Sequence, residues 1–405
     1  MRGCGVGRCE RSRYSASFFA VYFFYYGGYC IFSSYMVMYL TNKGYSVTLC
    51  GLITSLTLIA NLITEPIGGY ITDTFLSARR FLMMCVGIIG VLCLLCTWAA
   101  DMPWLYFPAL VATAGVAYPF SQLLDAWVNC SREVDPGLTY SRIRAGGSIG
   151  FALSSLVVGG YLKRYGWDGY FLLQAGFFLT MIPFLSDLPD IKPGNRRRDT
   201  GGPGMSPLCC IKTALREHSY CICLLVCTVY WFSHRPVGSY LSLIVEERSG
   251  GPGTYGAVCG MGAVVECLAL LVVAVYQKRG KLSHIACMTG ALVSGIIRPM
   301  CILLLPGVWP LYLGQLLQSV SFALFYVGSA EWFTCVSYPY IRIFSISVGL
   351  TASSVGGTIA ANLLGGFLCD RLGTDVLVWL SLAISVGNIP LFFLMGHGCV
   401  RREEL

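Results

Sequence analysis

The sequence predicts an all-α integral membrane protein, with twelve transmembrane helices arranged as two pseudo-symmetric six-helix halves. Composition is the first observation: of 405 residues, 56% are hydrophobic and only 12% charged, with a mean hydropathy of +0.67. In a soluble domain roughly a quarter of the residues are charged. The second observation is an internal repeat at one constant offset. Gly147-x-x-Gly150, followed by Gly159-Gly160-Tyr161-Leu162, returns as Ser353-x-x-Gly356 and then Gly365-Gly366-Phe367-Leu368. After a one-residue insertion, Gly166-Trp167-Asp168 is echoed by Gly373-Thr374-Asp375. The same offset sets Asp125 opposite Glu331, each followed within two residues by a tryptophan. Doubling of this kind in an apolar chain implies two halves that rock about a central site.

Each element follows from apolar run length, since a span needs about 20 apolar residues. In the first half the spans fall near 17–41, 46–72, 80–100, 103–130, 140–162 and 168–188. The first is crowded with tyrosine and phenylalanine on every face, most of them packing or belt residues. The second is longer than a bilayer requires, which calls for tilt or an extension beyond it. Asp101-Met102-Pro103 makes a short turn between the third and fourth. Residues 189–217 then break the pattern with Pro189, Pro193, an arginine run at 196–198, Gly201-Gly202-Pro203-Gly204 and Pro207. That stretch is read as a cytoplasmic linker between halves 1–188 and 218–405. The second half continues with spans near 218–245, 254–276, 284–305, 309–336, 343–369 and 374–396, with Pro306-Gly307-Val308 as another short connection.

The net charge of +8 is a topology signal and implies no nucleic-acid partner. Basic clusters at Arg11/Arg13, Arg79/Arg80, Arg196-Arg197-Arg198 and Lys278/Arg279/Lys281 fall on one side of the predicted membrane. The positive-inside rule makes that side cytoplasmic and places both termini there. Most of the 20 cysteines lie within spans, where cysteine behaves as a small apolar residue, and none forms a metal-ligand set. No cofactor or metal is expected. The sequon Asn129-Cys130-Ser131 falls on the cytoplasmic side and is discarded, and no cleavable signal is evident. There is no GxxxxGK[ST] loop for ATP and no nucleophile–base triad, so an enzyme or ATP-driven pump is not supported.

Several motifs carry a resemblance. Glu65-Pro66-x-x-Gly69-x-x-x-Asp73, followed by Arg79-Arg80, resembles the signature between the second and third spans of the major facilitator superfamily, with Thr74 where a basic residue is usual. Tyr140-Ser141-Arg142-Ile143-Arg144-x-x-Gly147-Ser148-x-Gly150-Phe151 is similar to the fifth-span opening of the branch holding lactose permease, phenylpropionate permeases and nucleoside–proton symporters. Pro119 with Asp125-Ala126-Trp127 resembles the fourth span of that branch, and Gly27-Gly28-Tyr29 its first. Gln315-Leu-Leu-Gln318-Ser-x-Ser321-Phe322 resembles its tenth span, where histidine is common at the position of Gln318.

The resemblance implies the major facilitator fold and a substrate site at Asp125, Arg144, Phe151, Tyr29 and Gln318. Asp125 and Arg144 would hold the solute as the matching acid and arginine of lactose permease hold sugar; a fixed structural bridge between the two is the alternative. Phe151 falls where the permease has a stacking tryptophan, and Tyr29 enters through the resemblance alone. Gating is assigned to Asp73, Arg79 and Arg80, with Gly69 allowing close helix packing, and to Glu65 facing a water-filled cavity.

The residues of the second half point to proton coupling independently. His234, Arg235, Glu266, Arg298 and Glu331 sit at membrane depth, where ionisable groups are expensive and usually functional. A carrier acid needs burial to hold its proton and an approaching cation to release it. Glu266 and Glu331 fit that part, with Arg298 or Arg235 as the cation and His234 as a further titrating group. The proton-bearing glutamate of lactose permease does not align with Glu331. The expectation is a secondary transporter of a small polar organic solute, namely a sugar, nucleoside or aromatic acid, working by alternating access and proton-coupled symport. Its cavity would lie between spans 1, 4 and 5 and spans 7, 8 and 10. The alternatives are a proton-driven efflux antiporter or a non-transporting sensor or scaffold on the same fold. Its partners would be a small-molecule substrate, protons and membrane lipid, with the chain a monomer in the plasma membrane.

Overall fold

A computed structural model of the chain describes residues 13–132, 135–190, 207–279, 283–338 and 341–400. The arginine run at 196–198, Arg11 and Lys281 lie outside the described residues. The described chain is built of helices. In the first half these are α1 (Ser15–Asn42), α2 (Val47–Thr74), α3 (Ala78–Trp98), α4 (Pro103–Ala117), α5 (Phe120–Ser131), α6 (Tyr140–Tyr165), α7 (Tyr170–Leu179) and α8 (Ile182–Asp187). After it come α9 (Pro207–Arg216), α10 (His218–Ser239), α11 (Leu241–Glu247) and α12 (Pro252–Lys278). The chain closes with α13 (His284–Leu304), α14 (Trp309–Val336), α15 (Arg342–Leu372) and α16 (Asp375–Val400).

Eleven helical stretches are long and apolar enough to cross a membrane, by length and composition. α1, of 28 residues, is as long as α2 and carries Tyr22, Tyr25, Tyr26 and Tyr29. Large apolar side chains such as Ile63, Ile67, Val91 and Leu271 stand more than half exposed on these helices. That suits a hydrocarbon solvent and would be a liability in water.

Three predicted spans are each made of two helices. The fourth breaks at Tyr118-Pro119, between α4 and α5. Proline has no N–H and clashes with the carbonyl four residues earlier, here that of Gly115. The Thr64 hydroxyl takes over that carbonyl at 2.6 Å, and Tyr25 donates to the Ala117 carbonyl at 3.1 Å. The sixth span breaks at Thr180-Met181, and the seventh at Tyr240, after Pro236. α9 lies within the stretch read as a linker; its Cys210 and Ala214, one turn apart, are buried with Tyr220 and Phe333. Its ten residues are too few to register as a span.

The sequence repeat returns as backbone geometry. Gly166 after α6 and Gly373 after α15 both take left-handed φ, +74° and +83°, a region glycine enters without steric cost. Packing repeats as well. A Cβ at Gly146 would come within 2.7 Å of the Phe19 carbonyl, and one at Gly150 would collide with the Phe23 carbonyl, so α6 rides directly on α1. In the second half a Cβ at Gly357 would come within 2.6 Å of the Thr228 carbonyl, so α15 rides on α10 in the same way. Small residues one turn apart allow such close helix contact in membranes. Gly69 makes no such approach, having no neighbour within 4 Å of a Cβ built there.

Among the described residues the chain forms two compact units. One takes the chain up to Ser33, Ile59–Ser154 and residues 167–190. Its core stacks Tyr25 on Phe120 at 5.2 Å and sets Phe18 edge-on to Trp127 at 5.4 Å. The other takes Ser34–Leu58, Ser155–Gly166 and everything from α9 onward. Within this second unit Asp370 accepts from the Val47 and Thr48 amides at 2.8 and 2.7 Å, and from the Thr48 hydroxyl at 2.5 Å. A carboxylate from α15 thereby caps α2, meeting both its orphan donors and its dipole. In the same unit Tyr35 donates to the Ser155 carbonyl at 2.6 Å, and Ser155 to that of Gly256 at 2.9 Å.

Candidate functional site

In the first unit Asp125 lies on α5 and Arg144 on α6, both half-buried. Tyr22 of α1 donates its hydroxyl to Asp125 Oδ1 at 2.5 Å. The Arg144 guanidinium sits over the Tyr26 ring, 4.3 Å from its centroid. Tyr140, first residue of α6, lies within electrostatic reach of both. Tyrosines thus stand around the acid and the base, while Arg144 and Asp125, among the described residues, form no ion pair within 4 Å of each other. The aromatic wall continues through Tyr29, 6.1 Å from Tyr26 and 5.3 Å from Tyr118 between ring centroids. Phe151 lies two turns along α6 from Arg144, half-buried, on the same helix face. The group combines a carboxylate, a guanidinium and several ring faces, a combination suited to a polar solute with a planar or hydroxylated part.

The sequence reading singled out Tyr29 and passed over Tyr22, Tyr26 and Tyr140. A signal was present: Tyr22, Tyr26 and Tyr29 recur at intervals of four and three along one helix face. The abundance of aromatics on the other faces hid it.

The gating residues assigned from the sequence do not meet one another. Arg80 pairs with Asp190 at 3.3 Å, and Arg79 donates to the Leu188 carbonyl at 3.2 Å. Asp73 is exposed at the end of α2, and both arginines turn to the segment after α8. The Ser77 hydroxyl, with Arg80 and Arg79, holds the Asp190 carboxyl below the usual carboxylate range. Glu65 is half-buried on α2, in none of these contacts.

A second group lies within the other unit, around Tyr230 of α10. Its ring stacks on Phe325 at 3.7 Å and on His234 at 5.4 Å, and its hydroxyl meets Ser321 at 2.9 Å. Arg235 lies over the Trp231 ring at 4.8 Å. Arg298 of α13 is 2% exposed and reaches the His234 carbonyl at 3.4 Å. Arg298, Arg235 and Glu266 all act electrostatically on Tyr230, so the structure brings together four of the five residues assigned to proton coupling. Glu331 acts on none of these groups around Tyr230 and accepts a hydrogen bond from Gln277. Gln318 has a buried side-chain oxygen without a hydrogen-bond partner.

Long apolar helices, two repeated packing motifs and ionisable groups held at membrane depth define a multi-pass membrane protein with the architecture of a major facilitator transporter. Comparison with known proteins supplies the family: residues 16–378 match the model of the MFS_1 like family, and the chain belongs to it. It is 18% identical over 357 residues to the uncharacterized transporter YwbF of Bacillus subtilis (strain 168), covering 87% of this chain and 86% of that one. Its fold superposes on the crystal structure of the nucleoside transporter NupG with a TM-score of 0.80 at 15% identity, covering 95% of this chain and 98% of that one. The peptide transporter POT in complex with sulfate superposes with a TM-score of 0.69 at 12% identity, covering 96% of each chain. This protein is therefore a membrane transporter of the major facilitator type, and transporters of that type are typically not enzymes.

Proposed function

We propose that the chain is a secondary active transporter that moves a small polar organic solute across the plasma membrane by alternating access, coupled to proton symport. The observation that carries the reading is the tyrosine-lined group of Asp125 and Arg144, with its Tyr22 and Tyr26 contacts. Ring faces suit stacking by a planar base, a carboxylate suits sugar hydroxyls or base N–H groups, and the guanidinium supplies paired donors. A nucleoside combines all three needs and is the first solute to test; the fold likeness to a nucleoside transporter agrees with that choice. Sugars and aromatic acids follow it.

Coupling is assigned to Glu266, with Arg235, Arg298 and His234, which share its neighbour Tyr230, and to Glu331. Both glutamates are half-buried within membrane-spanning helices, where ionisable groups are expensive and usually functional. The side bearing Arg79, Arg80 and both termini is cytoplasmic, and Asp73, Arg79, Arg80 and Glu65 belong to its gate. The two sequence halves, joined by 189–217, would rock about the solute as a monomer.

The test is uptake into proteoliposomes under an imposed inward proton gradient, using labelled nucleosides, sugars and aromatic acids with Asp125→Asn alongside. Gradient-driven uptake that Asp125→Asn abolishes supports symport through this site. Glu266→Gln or Glu331→Gln should spare solute exchange while suppressing accumulation. Normal accumulation in both variants removes the coupling assignment, and absence of uptake from every pool by folded protein removes the import reading.

A further inference from the structure

We infer that the pocket around Arg298 binds one small monovalent anion of about the size of chloride. Arg298 is 2% exposed. Its Nη1 donates to the His234 carbonyl at 3.4 Å, and its Nε and Nη2 have no hydrogen-bond partner. A pocket opens beside it, lined by Tyr230, Ser233 and His234 of α10 and by Ser381 and Ser385, one turn apart on α16. Among the described residues no carboxylate lines it. Besides the Tyr230 phenol, the group that acts electrostatically on Arg298 is the like-charged Arg235. A buried guanidinium without a counter-charge is strongly unfavourable. A bound anion removes that penalty.

The lining sets what can bind. Ser321 gives its proton to the Ala291 carbonyl at 2.8 Å, so the Tyr230 hydroxyl must donate to Ser321 across 2.9 Å. Ser233 donates to the Tyr230 carbonyl at 2.8 Å. The groups left to face an anion are the guanidinium N–H donors, the Ser381 and Ser385 hydroxyls and the His234 ring. This is a donor set around a fixed positive charge, and it has no acidic member to recruit a cation. The space beside Arg298 is small, which suits a single small anion better than phosphate or sulfate. The site stands whether or not the chain carries protons.

The experiment is thermal unfolding of the purified full-length protein in detergent, titrated with sodium chloride against sodium gluconate at constant ionic strength. The expected result is a saturable rise in Tm with chloride and bromide that gluconate and sulfate do not produce. Arg298→Met should abolish that rise. To separate loss of the site from loss of the fold, Ser381→Ala with Ser385→Ala serves as the second variant, and should raise the half-saturating chloride concentration at least fivefold. Crystals grown in sodium bromide should show an anomalous peak beside Arg298. Equal responses to chloride and gluconate, an unchanged half-saturation in the double serine variant, or bromide crystals without that peak would each overturn the assignment. A rise produced by formate or acetate but not by halides would assign the pocket to a carboxylate and overturn it as well.

Discussion

Replacing Arg144 with lysine and with alanine separates its charge from its shape. The guanidinium lies 4.3 Å from the Tyr26 centroid, half-buried on α6. A charge-assisted hydrogen bond to solute is worth about 1.5–3 kcal/mol, and each 1.4 kcal/mol is about tenfold in affinity. Arg144→Ala should therefore weaken binding by roughly ten- to a hundredfold. The cation–π contact, worth about 1–2 kcal/mol in a partly desolvated setting, adds a loss of stability that shows in Tm and not in affinity. Lysine keeps the charge as a point donor and loses the planar fork. Arg144→Lys should fall between, with affinity down by roughly three- to tenfold. The assay is equilibrium binding of a labelled nucleoside to purified protein, with Arg142→Ala, an exposed neighbour on the same helix, as the control. Affinity within twofold of native in Arg144→Ala, or an equal loss in the control, would refute the placement of Arg144 at the site.

Three further outcomes follow from packing and capping. A Cβ at Gly150 collides with the Phe23 carbonyl, whereas one at Gly160 meets nothing within 4 Å. Gly150→Ala should therefore cost about 1–3 kcal/mol and lower Tm in detergent, while Gly160→Ala leaves it level or raises it; equal shifts would sink the packing argument. Asp370→Ala removes the cap on α2, a change worth about 0.5–2 kcal/mol. Cys50, at 0% exposure one turn further along α2, should then react several-fold faster with a small thiol reagent, and an unchanged rate would show that the cap does not hold this end of α2. The lowered pKa of Asp190 sets a sign. Its contribution is present above the unfolded carboxylate value, near about 3.9, and is lost as pH falls through the folded one. Because Arg80 is 67% exposed, the pair is worth at most about 1 kcal/mol. Asp190→Asn should lower Tm slightly at pH 7 and by progressively less as pH falls below the unfolded value, and a larger effect in acid would contradict the assignment.

The sequence carried most of the architecture because its signals are local. Apolar runs register whatever they pack against, and a repeat such as Gly166 against Gly373 survives as a turn geometry that each copy needs for itself. Side-chain pairing was less legible. Arg79 and Arg80 stand near Asp73 in sequence, yet their partners are Leu188 and Asp190, more than a hundred residues on. Glu331 reads like Glu266 as an isolated membrane acid, but Gln277 of α12 occupies it. Nothing in the spacing of either residue announces the other. Pro119 announced a break, but not that Thr64 would take up the freed Gly115 carbonyl.

By itself the sequence determined the helical membrane class, the doubling of the chain and the cost of its buried ions, since hydropathy, repeat and charge are properties of single segments. The tertiary structure decided which tyrosines meet Asp125 and Arg144, and that Arg298 would share a pocket with Ser381 and Ser385. Those outcomes depend on how far each helix is rotated and where it breaks. A rotation of one residue, about 100° in an α-helix, would turn a different set of side chains toward the site, and only the packing of all the helices together selects one.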